Sequence, residues 1–445
     1  MTAHTPAAEP RAALAAFLSF LFPGLGQAYN RQARLAALLG GPIALVLGMV
    51  LLGMAIGGRG LLSMLLDQRF LIGLLVLDLA LLGWRLVAVL QAHARRDALH
   101  PSRWTAWVTG LLVVITLGMH LLPAWYTVKA IDTLGSVAAG GTGGFGDDLD
   151  DLFPVVSGAP TPSAVPEGTQ RINILLVGID SLPGRVTALT DTMLVVSLSL
   201  DGGPSAMISI PRDLYGVLLP DGTPFNRKLN SLMTYAAARP DSFPLGGVGT
   251  LKATIGGLLG IPIHYFAAVK MLGFKSAIDA LGGVDVTVTR AVNDPTYWDE
   301  YNRLVGFTIQ PGTYHMDGHL ALAYVRSRKG AGDSDFTRAE RQQQLLAALQ
   351  QQLTAGNLLL SLPGLLDAVK DSLATDVPGE EISDLAQAVQ AADVSQLRRL
   401  VLQPPDHMRV NAHSSAGYIL IPDLDAIRAA VALLLAPESS SSVAP

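Results

Sequence analysis

The 445-residue chain contains no cysteine, and only 15 % of its residues are charged and 6 % aromatic. The missing cysteine excludes disulfides, thiolate catalysis and zinc–cysteine sites, and leaves the redox compartment open. The shortage of charge, set beside 50 % hydrophobic residues and a mean hydropathy of +0.39, points to membrane spans. The charges present nearly balance, with a formal net charge of −5 and a pI of about 6.0, which argues against a nucleic-acid partner. No internal repeat is visible, and the length leaves room for more than one domain.

Residues 1–10 are polar. Residues 12–22 are apolar but too short to span, and they run into Phe22-Pro-Gly-Leu-Gly-Gln-Ala-Tyr29. This stretch resembles the FPGLGQ turn of small bacterial membrane modules, and 12–29 reads as a re-entrant or interfacial segment. The long apolar segments that follow argue against a cleaved signal peptide. Three runs, 35–57, 70–91 and 105–128, reach the length of about 20 residues needed to cross a hydrocarbon core. Arg95, Arg96 and Arg103 fill the loop between the second and third runs, and Arg31 and Arg34 precede the first. The positive-inside rule puts both groups in the cytoplasm, so the chain after about Lys129 lies outside. The expectation for 1–133 is an all-α, multi-pass region in the plasma membrane, with the lipid bilayer as a partner. Asp78 and Arg85 lie on one face of the second run, where helix pairing, with Arg85 reaching towards the cytoplasm, is the simpler role and a functional intramembrane acid the other. Residues 134–170 are rich in Gly, Ser, Pro and Asp and read as a flexible extracytoplasmic tether.

From Arg171 the pattern becomes globular. Ile172 to Val177 is an apolar run ending in Gly178-Ile-Asp180; Thr192 to Leu200 and Ala206 to Ile210 are further strand candidates, the last ending in Pro211-Arg212-Asp213. If the three run up, down and up, Asp180, Asp191 and Arg212 meet at one end of a sheet. Two carboxylates and an arginine there suit a hard metal plus an anion; the plainer reading is that the aspartates cap loops. Gly249 to Leu259 and Gly273 to Leu281 read as helices, Ile263 to Val269 and Val284 to Val288 as strands, and 345–435 as mainly helical. This alternation indicates a layered α/β fold. The tail 436–445 reads as disordered.

The densest charge lies in Tyr324-Val-Arg-Ser-Arg-Lys-Gly-Ala-Gly-Asp-Ser-Asp-Phe-Thr-Arg-Ala-Glu-Arg-Gln-Gln-Gln344. If 321–328 is a strand, Tyr324, Arg326 and Arg328 share one face. Glycines 330 and 332 then turn the chain, and Thr337-x-x-Glu340 reads as a capping box opening a helix that carries Arg338, Arg341 and Gln342. Arginines facing a helix N-terminus bind a multiply charged phosphate, because guanidinium forks and orphan N–H groups converge on the same oxygens. The alternative is a solvated arginine surface paired with Asp333, Asp335 and Glu340.

Seven blocks in order carry a resemblance. Asn173-Ile-Leu-Leu-Val-Gly-Ile-Asp180, Thr190-Asp-Thr-Met193, Ser209-Ile-Pro-Arg-Asp213, Lys228-Leu-Asn230, Asp279-Ala-Leu-Gly-Gly-Val-Asp285, Ala321-Leu-Ala-Tyr-Val-Arg-Ser-Arg328 and Asp335-Phe-Thr-Arg-Ala-Glu-Arg-Gln342 resemble the LytR-CpsA-Psr (LCP) family over 171–435. The resemblance implies an α/β/α sandwich with a central mixed sheet and an apolar pocket for a lipid tail. It implies an extracytoplasmic phosphotransferase that takes a glycopolymer (teichoic acid, capsule or a related polymer) from a polyprenyl-pyrophosphate carrier and joins it to peptidoglycan through a phosphodiester. By position, Asp180 and Asp191 match the carboxylates that hold Mg²⁺ (or Mn²⁺), and Arg212, Lys228, Arg326, Arg328, Arg338, Arg341 and Gln342 match phosphate-binding positions. Such a site works by positioning and by relieving charge on phosphoryl oxygens; Asp180 or Asp191 also suits proton abstraction from the attacking hydroxyl. Family members commonly carry an arginine two residues before the second aspartate, where this chain has Leu189, and often one just after the first Gly-x-Asp, where it has Ser181-Leu182. Arg185 is the residue placed to compensate. Water as acceptor would make the same site a lipid-pyrophosphate phosphatase, and a non-catalytic binder of lipid-linked glycan would need only the arginines.

Overall fold

The computed structural model describes residues 9–57, 64, 67–97, 103–138, 170–180, 189–201, 203–352, 361, 364–368, 370, 372–391 and 397–436. The expected tether and tail lie almost wholly outside the described residues, as does Arg185. The chain divides into two compact units, Met1–Asp132 and Thr133–Pro445.

The first unit is helical: α1 (Glu9–Leu21), α2 (Leu25–Tyr29), α3 (Ala33–Gly57), α4 (Gln68–Asp97) and most of α5 (Arg103–Ala138), whose last six residues fall in the second unit. Two helices, Gln68–Ala94 and Arg103–Gly135, are long and apolar enough to cross a membrane, while Ala33–Met49 forms a shorter apolar stretch. The Phe22-Pro-Gly-Leu-Gly-Gln27 turn has a physical cause at each glycine. Gly24 sits at φ +100°, and a Cβ on Gly26 would lie 2.0 Å from the Ala15 carbonyl oxygen. Gln27, fully buried, donates to the Ala88 carbonyl (2.7 Å) and accepts from the Ser19 hydroxyl (2.9 Å), which ties the turn to α4. Arg85 donates to the Phe20 carbonyl at the end of α1 (3.1 Å), and Asp78 pairs instead with His120 of α5 at 2.7 Å. Both polar groups of α4 therefore join helices, as the simpler reading expects, though His120 was not foreseen as a partner.

The second unit is built on a six-stranded mixed sheet in the order β11-β6-β1-β2-β3-β12. Its strands are β1 (Arg171–Asp180), β2 (Leu189–Ser199), β3 (Ala206–Ser209), β6 (Tyr265–Lys270), β11 (Leu373–Thr375) and β12 (Arg398–Val401). The pairs β1–β2 and β2–β3 are antiparallel, so the first three strands do run up, down and up. The parallel pairs β1–β6 and β3–β12 make the sheet mixed. Between them lie the hairpin β4 (Tyr215–Leu218) and β5 (Pro224–Lys228) and the short pairs formed by β7 (Val284–Val288), β8 (Val292–Asp294), β9 (Phe307–Ile309) and β10 (Gly312–Met316). A last hairpin joins β13 (Met408–Ser414) to β14 (Gly417–Pro422).

Strand β1 is apolar on both faces because it is covered on both. Leu175, Val177 and Ile179 enter the main core with helices 246–259 and 424–435. Leu176 and Gly178 face the opposite way, towards the layer of helices 271–280, 318–326 and 335–352, whose own core holds Ile278, Tyr324 and Leu345. The result is the expected α/β/α sandwich.

Three local expectations are corrected. Residues 318–326 form a helix, not a strand, because Asp317 caps it by accepting the Leu320 N–H (2.8 Å) and Ala321, Tyr324 and Val325 follow a helical burial period. The helix over Asp335–Gln352 is opened by Ser334 and Thr337, which exchange reciprocal hydrogen bonds (2.9 and 3.2 Å), rather than by Thr337 with Glu340. Glu340 pairs with Arg290 at 2.5 Å. The 345–435 region contributes four strands as well as helices, two of them completing the central sheet.

Candidate active site

The C-terminal ends of β1, β3 and β6 and the start of β2 converge at one end of the sheet. Between Gly178 and Ile179 the register shifts: Gly178 opposes Thr192 and Ile179 opposes Thr190, which leaves Asp191 as the extra residue of a β-bulge. The bulge turns the Asp191 side chain out of the ladder. Its Oδ1 accepts from Arg212 Nη1 at 2.7 Å. Asp180 is the last residue of β1, its backbone opposite Leu189.

Arg212 is the hub. Its Nε lies 3.5 Å from Asp335 Oδ2 and 3.7 Å from Asp213 Oδ2, and Asp213 in turn accepts from Lys228 at 2.7 Å. Burial depresses the basicity of the Arg212 guanidinium, but Asp191, Asp335 and Asp213 outweigh it and raise its pKa above the ordinary value. Asp335, in the first turn of helix 335–352, also meets Arg338 Nη1 at 3.1 Å and Arg328 Nη1 at 3.5 Å. Arg338 is buried and donates to the Asp191 carbonyl (3.1 Å); its pKa is lowered by burial against the pull of Asp335. Gln342, one turn further on, donates to Thr192 Oγ1 (3.0 Å) and to the Val325 carbonyl (3.2 Å).

The segment carrying Arg328 is fixed by Asp294, which accepts from Ser327 Oγ and from the backbone N–H groups of Arg328 and Lys329, each at 3.1 Å. Gly330 follows, where a Cβ would lie 2.5 Å from the Asn293 carbonyl oxygen. Arg341 serves this turn rather than the cavity. It reaches Asp333 at 3.5 Å, donates to the Ser327 carbonyl and stands 5.5 Å from the Tyr324 ring, and burial lowers its pKa. The Arg326 guanidinium lies 5.8 Å from the Tyr297 ring.

Beneath these groups lies a cavity of about 260 Å³ between the sheet and the second helix layer. Leu176, Leu194, Val269, Phe274, Leu322 and Leu345 make its apolar wall, and Asp191, Arg326, Arg328, Arg338 and Gln342 stand at its polar end. Among the described lining residues of the cavity, three cations (Arg326, Arg328, Arg338) stand with one carboxylate (Asp191), so its polar end retains positive charge. Arg212 Nε, Arg338 Nε and Asp335 Oδ1 are buried without a hydrogen-bond partner. The guanidiniums of Arg326, Arg328 and Arg338 at the end of an apolar cavity suit an anion on an apolar stem.

The sequence reading brought Asp191, Arg212, Lys228, Arg326, Arg328, Arg338 and Gln342 to one neighbourhood, and the structure does the same. It missed Asp213 and Asp294, whose partners are set by tertiary contact. The apolar wall did have a signal in sequence, since β1 and β2 carry hydrophobic residues on both faces.

A profile of the LytR_cpsA_psr family matches residues 154–425. A polyisoprenyl-teichoic acid–peptidoglycan teichoic acid transferase, TagU of Bacillus mycoides (strain KBAB4), is 30 % identical over 217 residues, which is 49 % of this chain and 64 % of TagU. TagV of Bacillus subtilis (strain 168) is 26 % identical over 269 residues, 60 % of this chain and 61 % of TagV. The chain thus spans less than two thirds of the length of these curated relatives. Among solved structures, B. subtilis TagV aligns at a TM-score of 0.46 and 24 % identity, covering 60 % of this chain and 97 % of TagV. TagT bound to LIIa-WTA aligns at 0.46 and 22 % identity, covering 61 % and 93 %. With the profile spanning more than half its length, the chain belongs to the LytR-CpsA-Psr family.

Proposed function

We propose that the protein is a membrane-anchored, extracytoplasmic phosphotransferase that moves a glycopolymer from a polyprenyl-pyrophosphate carrier onto peptidoglycan through a phosphodiester bond. One observation carries the reading: the cavity is apolar along its wall and closed at one end by Arg326, Arg328, Arg338 and Gln342 beside the Asp191–Arg212 pair. A polyprenyl tail fits the wall and a pyrophosphate the polar end. The transferase names of TagU and TagV support the same donor and acceptor for this chain.

In this mechanism the acceptor hydroxyl attacks the phosphorus that bears the glycan. The P–O bond to the bridging oxygen breaks, and polyprenyl monophosphate leaves. Arg212, Arg328 and Arg338 draw off the charge that builds on the non-bridging and leaving oxygens. Asp191, turned out by its bulge and held by Arg212, takes the hydroxyl proton. Among the described residues no three His, Asp or Glu side chains gather as a metal site. Mg²⁺ needs only one or two carboxylates when phosphate oxygens complete its shell, and among the described residues the carboxylates at this end of the sheet offer oxygen donors, so the residues fit. With Asp191 engaged as the base, Asp180 is the residue that would hold Mg²⁺ or Mn²⁺; the ion would supply further charge neutralisation at the pyrophosphate. Lys228 holds Asp213 and so orients Arg212. Arg341 supports the 327–333 turn.

The test follows polyprenyl monophosphate release from a lipid-pyrophosphate glycan by the full chain. The transferase reading requires release to accelerate when peptidoglycan fragments are added. Equal release with and without them would mean that water is the acceptor.

A further inference from the structure

The loop 295–306 joins β8 to β9 and is built around two inward-facing acids. Asp299, buried, accepts from the backbone N–H groups of Tyr301 (3.0 Å) and Arg303 (2.8 Å) and from the Arg303 guanidinium (2.7 Å). Glu300, also buried, lies 2.9 Å from His319 Nδ1, which ties the loop to helix 318–326. A backbone bridge between Trp298 and Leu304 closes the loop. With both acids turned in, the outer surface carries Trp298, Tyr301, Leu304 and Val305, each 48 to 61 % exposed, and the Arg303 guanidinium. Water-facing loops ordinarily do the reverse, and four large apolar side chains clustered on one loop mark a binding surface.

The patch adjoins the cavity. The Trp298 carbonyl accepts from Arg326 Nη1 at 3.4 Å, and Arg326 stands at the polar end of the cavity. Leu272, 45 % exposed, directly follows Met271 of the cavity lining. Tryptophan and tyrosine settle at the headgroup level of a bilayer, aliphatic side chains just below it, and an arginine meets lipid phosphates. A bilayer is also a partner that the chain itself supplies, since it carries two helices long and apolar enough to cross one.

We propose that loop 295–306 inserts shallowly into the bilayer surface beside the cavity, so that a lipid-held substrate enters the cavity directly from the membrane. The identity of that substrate rests on the transferase reading; the docking rests on the loop alone.

The absence of cysteine in this chain allows a direct test in the full-length protein, reconstituted into phosphatidylethanolamine–phosphatidylglycerol vesicles. Leu304→Cys, and Thr223→Cys on the β4–β5 turn as control, each carry an environment-sensitive fluorophore. At position 304 the emission shifts to the blue, is quenched by lipids bearing a nitroxide near the headgroup, and is shielded from aqueous iodide; position 223 behaves oppositely. In addition, Tyr301→Ser/Leu304→Ser raises KM for bilayer-held substrate about tenfold while leaving kcat and turnover of a short-chain soluble analogue unchanged. A label at 304 as open to iodide as that at 223 overturns the docking even in an active enzyme. Shielding from both quenchers that disappears on dilution of the protein in the vesicles also overturns it, assigning the patch to a second copy. Lipid quenching in a protein that transfers no glycan leaves the docking in place and removes the transferase reading.

Discussion

Asp335→Asn separates the stability of the site from its function. Among the described side chains, Asp335 is the one carboxylate shared by Arg212, Arg328 and Arg338, at 3.5, 3.5 and 3.1 Å. At an effective dielectric of about 20 each contact is a gross attraction of about 5 kcal/mol. The Asp335 side chain is 28 % exposed, so solvation lost on pairing and screening cancel most of that. The three contacts are ion pairs without hydrogen-bond geometry, and at up to about 1 kcal/mol for each the expected loss is about 2 kcal/mol. For a domain of this size that lowers Tm by about 4–8 °C. A bound pyrophosphate supplies the same guanidiniums with an anion and no longer competes with the carboxylate. Its affinity therefore rises about tenfold, equivalent to about 1.4 kcal/mol, and ligand-induced stabilisation of the variant exceeds that of the parent. Thermal unfolding with and without inorganic pyrophosphate reads both effects. A variant as stable as the parent, with unchanged or weaker pyrophosphate affinity, would refute the view that Asp335 holds the arginines ready for an anion.

Other outcomes follow from the same geometry. Asp191→Asn removes the charge that Arg212 pairs with and the proposed proton acceptor, and lowers turnover by about two to four orders of magnitude; turnover in this variant within a few-fold of the parent would remove Asp191 from the mechanism, and turnover undiminished in a strong chelator would remove the metal. In the membrane unit, Asp78→Leu strands His120 and costs about 1–3 kcal/mol, whereas Asp78→Leu/His120→Leu costs less than the two single changes together; additive losses in detergent melts would deny the pairing. Burial, and then the Lys252 ammonium, holds the His264 imidazole below its ordinary pKa, and its Nδ1 accepts the Asn173 N–H at 2.9 Å. The unfolded chain binds the proton more readily, so this contribution is intact above the unfolded pKa of about 6.5 and fades as pH falls below it. His264→Gln should flatten the fall in Tm between pH 7 and 5; an unchanged slope would contradict the assignment.

Much of this site could be read in the sequence, for reasons that vary by residue. Asp180, Asp191 and Arg212 fall at one end of the sheet because three neighbouring antiparallel strands place alternate ends side by side, and apolar runs bounded by turns reveal such strands. The bulge that turns Asp191 outwards is not visible in the one-dimensional pattern. Residues 321–326 read as a strand because Ala-Leu-Ala-Tyr-Val-Arg is too short for its period to declare itself. The signal that would have decided it was Asp317, a helix-capping residue ahead of Gly-His-Leu. Strands β11 and β12 were missed because three or four residues have no period of their own, and they form only by adding to β6 and β3. Arg341 illustrates the converse. Its place one turn along from Arg338 is legible, yet its partners Asp333 and Ser327 turn it to bracing the neighbouring turn.

The most direct test of the central claim is the chemical fate of the glycan phosphate. The full-length protein in vesicles is given lipid-pyrophosphate glycan, magnesium and peptidoglycan fragments, and the products are resolved by mass spectrometry. The account predicts a peptidoglycan fragment carrying the glycan through one phosphate, with polyprenyl monophosphate released in equal amount. Free glycan phosphate with unmodified peptidoglycan, or intact donor held without turnover, would contradict it.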